Sequence, residues 1–442
     1  LTTDEGIQPD YSYHAHGPQL YIQGYGIVYY SSVLRYATWS EGTSFAYPLS
    51  QRKLLIDALL EGVQWFIRGD NVDLCAAGRS LTRNTGQATN ARSYLGVIQN
   101  GLSVGEGYRQ DELQDFAERL DDALTNGAAD PELAWVGHRH FPRSDSTTYH
   151  RPQFSVMLKT SSTRTDQPEV VNNEGLKNLH LSDGVTLLHR TGNEYDNIMP
   201  LWDWRKLPGT TIEQADYSLR PVSDGGVLGT STYAGGVSDG SEGASAFAYE
   251  RLGVSARKSW FFLGERMIAL GVEINAPAAT QPVVTTVNQC LLDGAVTYST
   301  ALDTSSVLAA SREDHTALCW VHHGGFGYYF PRGSGSATLV AESRIGNWNS
   351  INSNQSTAEV SGDIFALELA HGQAVSDASY AYIVAPVDSA ASMEINQPDE
   401  VGIIRNDRVA QAVSDTSTGS SAVNFWAAGS AAGISADQPC LV

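Results

Sequence analysis

The stretch QRKLLIDALLEGVQWFIRG, residues 51–69, decides the fold of the first part of the chain. Its apolar side chains recur every three or four positions, which is the spacing of one helix face. They are Leu54, Leu55, Ala58, Leu59, Val63, Phe66 and Ile67, and Gly69 is predicted to end the helix. A second run, DELQDFAERLDDALTNG at residues 111–127, repeats the pattern and closes on Asn126 and Gly127. We therefore predict a helical domain over residues 1–148.

After residue 150 the helical spacing gives way to short β-type runs. They alternate polar and apolar side chains or are rich in β-branched and aromatic residues, and turn residues separate them. The runs lie at residues 153–158, 185–188, 258–263, 267–272 and 317–322. They predict a large antiparallel β domain over residues 149–388, with Trp202, Trp204 and Trp260 in its core. A C-terminal β domain, residues 389–442, is expected to follow and to be incomplete.

The composition favours a globular protein with an acidic surface. Of the 442 residues 17% are charged, and 49 acidic against 28 basic side chains give a net charge of −21. This charge opposes binding to nucleic acids or to anionic membranes. No apolar run reaches the roughly 18 residues of a membrane span. The acidity predicts a secreted protein, and the abrupt start at Leu1 predicts a processed or partial chain.

The cysteines and most histidines follow no metal-binding pattern, so we predict no metal site and no cofactor. Cys290 and Cys319 lie in the same β-rich region and could pair, which the sequence leaves open. Structural roles are predicted for the histidines outside the first segment, namely His138, His140, His322, His323 and His371. His322 and His323 are adjacent, so a strand would point them to opposite faces.

The run DYSYHAHGPQLYIQGYG, residues 10–26, holds the strongest candidate site. His16 and Tyr25 stand nine positions apart in it. An imidazole and a phenol that lie close together can act on one substrate carbon as base and acid. Glycines and a proline interrupt any long helix, so part of the run must be a shaped loop of the kind that lines clefts. The alternative is a purely structural pair.

Two further segments carry candidate binding residues. In GDNVDLCAAGRSLTR, residues 69–83, Arg79 and Arg83 stand four apart, and a helix would place both guanidinium groups on one face. There they could grip carboxylates or sulfates, although a solvated basic face is the alternative. In RTDQPEVVNNEG, residues 164–175, the polar pair is Asn172 and Glu174, and a polar hairpin turn is the alternative.

Taken together, these segments resemble the motifs of the polysaccharide lyase family that contains chondroitin AC, hyaluronate and xanthan lyases. The resemblance rests on a His directly before Gly-Pro-Gln with a Tyr nine residues later, on GR-x-x-x-R, and on SxR followed by N-x-E. Gly175 stands where the family's final Asn usually follows. The histidine that matches is His16, so His14 is predicted to be a decoy. The resemblance implies an α+β multidomain fold, an incomplete (α/α) toroid followed by a large antiparallel multi-sheet β sandwich.

The resemblance also implies a function. It implies β-elimination in an acidic polysaccharide, without metal or cofactor, leaving a 4,5-unsaturated uronic acid. The implied catalytic residues are His16, Tyr25, Arg79 and Glu174, and the implied substrate-binding residues are Arg83, Asn172, Arg164 and Gln19. Family members carry a further helical stretch with a catalytic Asn before the His/Tyr loop. We therefore expect that stretch to be a separate chain or segment of the same enzyme.

Three alternatives remain open at this point. Chondroitin sulfate and hyaluronan are the expected substrates, but xanthan also carries glucuronate and suits the same motifs. A non-catalytic protein that binds acidic glycans would keep the same cleft. A hydrolase would need paired carboxylates, for which Asp70 and Asp73 are the nearest candidates. Those two are better explained as a helix cap and a turn.

Overall fold

The computed structural model of the chain describes residues 1–84, 90–301, 304–331, 333–393 and 400–442. Within those residues the first part of the chain is built from four long helices, two of which, α2 and α4, lie in the runs where the apolar spacing predicted a helix. They are α1 (Ile27–Ser40), α2 (Leu49–Glu61), α3 (Arg92–Val104) and α4 (Gln110–Asn126). Their apolar faces form one buried cluster that includes Leu34, Leu59, Phe66, Tyr94 and Leu113.

Helix α4 ends as predicted, whereas α2 does not. Gly127 closes α4 with a positive φ of 74°, and its N–H donates to the carbonyl of Ala123. The expected end of α2 at Gly69 is wrong, because the helix stops at Glu61 and Val63–Phe66 forms a separate 3-10 helix. At Gly62 a Cβ would lie 2.2 Å from the carbonyl oxygen of Tyr11, so the incoming loop presses on the backbone there.

Two short ribbons fasten the loops of the helical part. Strand β1 (Gly6–Ile7) pairs with β2 (Tyr13–His14), and β3 (Ile67–Arg68) pairs with β4 (Asn71–Val72), both antiparallel. The first ribbon lies directly before His16. The loop that carries His16 therefore starts from a fixed strand.

A four-stranded antiparallel sheet joins the helical part to the β region. Its strands follow chain order: β5 (Gly137–Phe141), β6 (Ser146–Arg151), β7 (Phe154–Lys159) and β8 (Val185–His189). Every residue of β6 and β7 is buried. His150 of β6 bonds through Nε2 to the carbonyl of Trp65, which ties the sheet to the helices.

Two larger antiparallel sheets follow in the described part of the chain. Their strands are β9 (Thr211–Glu213), β10 (Ala234–Ser238), β11 (Gly243–Arg251), β12 (Val254–Leu263), β13 (Arg266–Ala276), β14 (Val283–Leu291), β15 (Thr297–Ala301), β16 (Thr304–Val307), β17 (Arg312–His315), β18 (Trp320–His323), β19 (Phe326–Tyr329), β20 (Ser336–Gly346), β21 (Val360–Gly372) and β22 (Val375–Pro386). One sheet runs β10-β11-β12-β13-β22-β19-β18-β15-β16 and the other β17-β20-β21-β14-β9.

The core of these sheets contains the predicted tryptophans. Trp202, Trp204 and Trp260 are buried in one apolar cluster with side chains from both sheets. Four predicted runs correspond to β7, β8, β12 and β13, and the fifth forms β18, which starts later than predicted. The prediction of a multi-sheet antiparallel β region is therefore confirmed.

The last part of the described chain is a small β unit. After the one-turn helix α5 (Ala390–Met393) come β23 (Val401–Asn406), β24 (Ala410–Asp415), β25 (Ser420–Phe425), β26 (Gly429–Ala431), β27 (Ile434–Ala436) and β28 (Cys440–Leu441). All four cysteines are free thiols, so Cys290 and Cys319 are not joined. Among the described residues, no helix combines the length and apolar character needed to cross a bilayer.

Candidate active site

The loop before α1 brings His16 and Tyr25 together. His16 has a φ of 60° and Gly17 a φ of 86°, so the chain turns sharply after the β1–β2 ribbon. The helical turn Ile22–Gly26 is broken at Gly24, whose φ is 76°. This kink returns the ring of Tyr25 toward His16, with 4.6 Å between the ring centroids. Tyr25 is 39% exposed, so its phenol stays accessible from solvent.

Arg79 and Arg83 converge on the same site, although not on an α-helix. Arg79 lies in the 3-10 helix Gly78–Thr82, and Arg83 follows it in extended conformation. The shared face that an α-helix would have given the two side chains is therefore not formed. Gly78 permits this geometry because a Cβ there would lie 2.2 Å from Cζ of Tyr21. The Tyr21 ring packs directly on the Gly78 backbone and sets the direction of Arg79.

Glu169 is the centre of the cluster, and the sequence analysis missed it. Its side chain is fully buried, and Oε2 lies 2.6 Å from Nδ1 of His16. Oε1 accepts hydrogen bonds from Arg79 Nη1 and from the Tyr21 hydroxyl, the latter at 3.0 Å. The Arg79 backbone N–H in turn donates to that hydroxyl at 3.2 Å. One carboxylate thus holds three functional groups in fixed positions.

The bond to Glu169 also decides which nitrogen of His16 carries hydrogen. A carboxylate can only accept, so Nδ1 carries the N–H that bonds to Oε2. The 3.4 Å contact between Nδ1 and Arg79 Nη1 is then not a hydrogen bond. Nε2 remains available as an acceptor or, when protonated, as a donor. The side chain is 32% exposed, so that nitrogen is within reach of a ligand.

The guanidinium of Arg79 is held charged by its neighbours. Burial lowers its pKa, but hydrogen bonds to Tyr25 and Glu169 outweigh burial and raise the pKa above the ordinary arginine value. Its Nη2 donates to Tyr25 Oη at 3.1 Å. Burial, followed by the Glu169 charge, raises the pKa of Tyr21, so Tyr21 stays a neutral phenol. A permanent positive charge therefore points at the accessible phenol of Tyr25.

Glu174 links the two arginines from the other side. Its Oε2 lies 3.2 Å from Arg79 Nε and accepts from Arg83 Nε and Nη2 at 2.9 and 2.7 Å. An isolated bridge pairs Glu174 with Asn352 of the β region. The five predicted residues His16, Tyr25, Arg79, Arg83 and Glu174 therefore lie in one cluster at the junction of the helical and β parts.

The remaining predicted residues lie around this cluster. Asn172 is exposed in a turn with a φ of 55°, and its carbonyl accepts from Asn354. Gln19 is buried, and its Oε1 accepts the Glu169 backbone N–H at 3.2 Å. Arg164 pairs with the buried carboxylate of Asp145, which also accepts the Ser162 hydroxyl at 2.5 Å. In the structure Gln19 and Arg164 make these supporting contacts and do not join the cluster.

His14 and the two carboxylates considered for a hydrolase make contacts of other kinds. His14 is buried and bonds to the Ser144 hydroxyl at 2.9 Å, away from His16. Asp73 caps a 3-10 helix by accepting the Cys75 N–H, and burial raises the pKa of this carboxyl to about 6. Asp70 binds the side chains of Asn71 and Asn90. Among the described residues, no group of three or more His, Cys, Asp or Glu side chains has metal-binding geometry.

Comparison with known proteins gives the same assignment along the whole chain. The models of polysaccharide lyase family 8 match as the N-terminal alpha-helical domain at residues 1–119, the super-sandwich domain at 136–397 and the C-terminal beta-sandwich domain at 402–442. A chondroitinase-AC of Pedobacter heparinus is 35% identical over 459 residues, covering 99% of this chain and 62% of that protein. A xanthan lyase of a Bacillus species is 31% identical over 70% of this chain and 34% of its own length.

Solved structures show the same fold. A chondroitinase AC lyase superposes with a TM-score of 0.92 at 31% identity and covers all of this chain and 64% of that one. A Paenibacillus xanthan lyase superposes with a TM-score of 0.88 at 22% identity, covering 100% and 46%, and shows the fold alone. The chain spans about three-fifths of the length of its full-length curated relatives. It belongs to polysaccharide lyase family 8.

Proposed function

We propose that the protein is a polysaccharide lyase that cleaves a uronic-acid-containing glycan by β-elimination, with chondroitin sulfate or hyaluronan as substrate. The observation that carries this proposal is the network in which buried Glu169 holds His16 and Arg79 while Arg79 donates to Tyr25. Relatives named chondroitinase-AC and hyaluronate lyase support this substrate class. The protein would act outside the cell, where such polymers occur.

In the proposed reaction Tyr25 moves the proton. Its phenolate takes the hydrogen from C5 of the uronic acid, the C4–O4 bond breaks, and a C4–C5 double bond forms. The proton then passes to the leaving O4. A phenol is normally protonated near neutral pH, because its unperturbed pKa is about 10. The guanidinium of Arg79, 3.1 Å from Tyr25 Oη, supplies the positive charge that stabilises the phenolate.

His16 would stabilise the charge that develops on the substrate. Removing the C5 hydrogen puts negative charge on the neighbouring carboxylate, which needs a fixed donor in the transition state. With Nδ1 bonded to Glu169, a protonated Nε2 can donate to that carboxylate. The resemblance implies that an asparagine shares this task. We predict that this asparagine comes from a preceding segment of the enzyme or from a separate chain. The intact mass of the active protein checks this prediction.

Substrate binding would fall mainly to Arg83. Its side chain is 36% exposed, and Glu174 engages Nε and Nη2 and leaves Nη1 for a carboxylate or sulfate. Exposed Asn172 is a second candidate contact. Gln19 and Arg164 would act indirectly, because they hold the segment that delivers Glu169. Glu174 would position both arginines.

Digestion of chondroitin sulfate, hyaluronan and xanthan tests the proposal. The expected result is ultraviolet absorbance from the unsaturated uronic acid with at least one of the first two polymers. Product from xanthan alone would favour xanthan lyase, which the 31% identical relative makes the second candidate. Binding of the polymers without unsaturated product, in the 442-residue chain and in the longest natural form, would favour a binding protein. New reducing ends without unsaturation would indicate a hydrolase.

A further inference from the structure

A small cavity lies between the helical part and the β5–β8 sheet, apart from the candidate active site. It offers about 20 Å³ to the centre of a water-sized sphere. A water molecule needs roughly 10–15 Å³ by this measure, so the space suits one or two water-sized occupants. Its walls include Arg68 of β3, Arg119 of α4, His150 of β6 and Trp135. The wall is therefore unusually rich in basic side chains.

Arg68 reaches this cavity without a carboxylate partner. Its Nε, Nη1 and Nη2 donate to the backbone carbonyls of Arg190, Arg151 and Pro152 at 3.0, 3.1 and 2.8 Å. Among the described residues, no carboxylate oxygen lies within the 4.0 Å of an ion pair. Glu194 acts on Arg68 only from a greater distance, and its own oxygens accept backbone N–H groups of residues 190–192.

Arg119, which also lines the cavity, likewise has no carboxylate partner among the described residues. Its Nη2 donates to Gln64 Oε1 at 3.0 Å, and its guanidinium carbon lies 5.7 and 5.5 Å from the ring centroids of Trp135 and Phe116. No described carboxylate forms an ion pair with it. Asp115 acts on it from a distance, and Asp130, which also lines the cavity, uses Oδ1 to accept the Glu132 N–H.

The basic groups around the cavity oppose one another. Burial lowers the pKa of Arg68 and of Arg119 to about 10 each, and it lowers the pKa of His150 to about 3. Both arginines further depress the pKa of His150. Nε1 of Trp135 is buried and has no hydrogen-bond partner in the described part of the chain. A buried cation, Arg68, a partly buried one, Arg119, and an unused donor therefore line the cavity, and Asp130 is the one acidic residue among the described residues that line it.

We propose that this cavity binds one small inorganic anion, of the size of chloride, between Arg68 and Arg119. An anion would offset the charges of Arg68 and Arg119, which a water molecule does much less, and it would accept the Trp135 N–H. This inference does not depend on the proposed lyase reaction.

Crystals of the 442-residue chain soaked in bromide test the site directly. The expected result is an anomalous peak between the two guanidinium groups. In parallel, the thermal unfolding midpoint should rise by about 2 °C or more when chloride replaces gluconate at constant ionic strength. A cavity refined as water without an anomalous peak would overturn the proposal. So would a midpoint that does not respond to chloride.

An Arg119→Met variant shows whether the chloride response comes from this cavity. The methionine keeps an unbranched apolar stem against Trp135 and Phe116 while removing the charge. The matched control is Arg35→Met, because Arg35 lies 5.6 Å from the Trp39 ring but on the exposed face of α1. The control should keep the full chloride shift and Arg119→Met should lose it. Equal chloride shifts in both variants would contradict the site. If Arg119→Met does not fold, the bromide experiment on the native chain tests the site instead.

Discussion

Arg79 in the candidate site and Lys258 in the β core are both buried cations with opposite surroundings. Arg79 faces two carboxylates, Glu169 and Glu174, and its pKa is raised. Lys258 donates to the carbonyl of Gly209 and lies 5.3 and 5.9 Å from the rings of Trp260 and Tyr249. Burial lowers the pKa of Lys258 to about 7, although the charge of Asp183 opposes the shift.

The two cations differ in what compensates their charge, which is carboxylates for Arg79 and a carbonyl with aromatic rings for Lys258. A buried cation with hydrogen-bonded anions stays charged at every working pH, and it can stabilise a nearby phenolate. A buried cation among aromatic rings loses its proton when the solution becomes mildly alkaline. The first arrangement predicts effects on activity, and the second predicts effects on stability. Four substitutions separate these effects.

The largest expected effect comes from Tyr25→Phe. Without the phenol the proton has no carrier, so turnover should fall about 10³-fold. The Tyr25 ring is partly exposed, and the substitution removes one hydroxyl without touching the Glu169 contacts. The unfolding midpoint should therefore change little. The measurement is the rate of unsaturated product together with polymer affinity. Near-normal turnover would refute the role of Tyr25, and Tyr36→Phe on exposed α1 is the control.

Glu169→Gln tests the anion side of the comparison. The amide keeps the shape of the carboxylate but removes the charge that fixes the His16 tautomer and compensates Arg79. Misplaced catalytic groups commonly lower rates about 10²-fold, and a broken buried ion pair destabilises by roughly 3 kcal/mol. We expect both losses, measured by turnover and by denaturant unfolding. Glu174→Gln should have a milder effect, because Glu174 contacts the more exposed Arg83. An equal loss of turnover and stability would contradict the central role of Glu169.

Most residues of the cluster could be predicted from the sequence, but Glu169 could not. The resemblance to the family's motifs singled out His16, Tyr25, Arg79, Arg83 and Glu174, which the fold brings together, because these residues lie in short recognisable patterns such as His-Gly-Pro-Gln and Gly-Arg. Glu169 lies in a quoted segment but has no such pattern around it, since it stands between Pro168 and two valines. Only the folded structure shows that this segment packs against the loop of His16 and brings Glu169 to its Nδ1.

Elements were predictable to the extent that local spacing determined them. The apolar face of α4 and its Gly127 cap are local features, and the helix ended as expected. The early end of α2 depends on the approach of the Tyr11 backbone to Gly62, a contact between distant segments. The conformation around Arg79 and Arg83 also depends on a contact between distant segments. An α-helix would have placed Arg79 and Arg83 on one face, whereas the Tyr21 ring packs on Gly78 and the segment forms a 3-10 turn.

Lys258→Met tests the other side of the comparison. Below about pH 7 the lysine is protonated both folded and unfolded, and the folded state bears the burial penalty. Between pH 7 and 10.5 the folded protein releases that proton while the unfolded chain keeps it, so native stability rises with pH. The variant should be more stable than the native protein by about 2 kcal/mol at pH 6, after the loss of the Gly209 bond.

Denaturant unfolding at several pH values checks this expectation. The native protein should gain stability through the pH 7 to 10.5 window, and Lys258→Met should lose that gain. Lys53→Met is the control, since Lys53 lies 4.7 Å from the Tyr108 ring in a less buried position. A variant that keeps the native slope would show that Lys258 is not the group that titrates.

Of the substitutions in the loop that carries the candidate site, His14→Ala is expected to have the smallest effect on turnover. His14 lies two residues before His16, but it bonds to Ser144, and burial lowers its pKa to about 4, so it is neutral at working pH. Its loss removes a buried hydrogen bond and some packing, which lowers the unfolding midpoint. Below that midpoint we expect turnover within about 3-fold of native, since the Glu169 contacts of His16 are untouched. If His14→Ala and His16→Ala lost activity equally at a temperature where both are folded, the choice of His16 over His14 would be wrong.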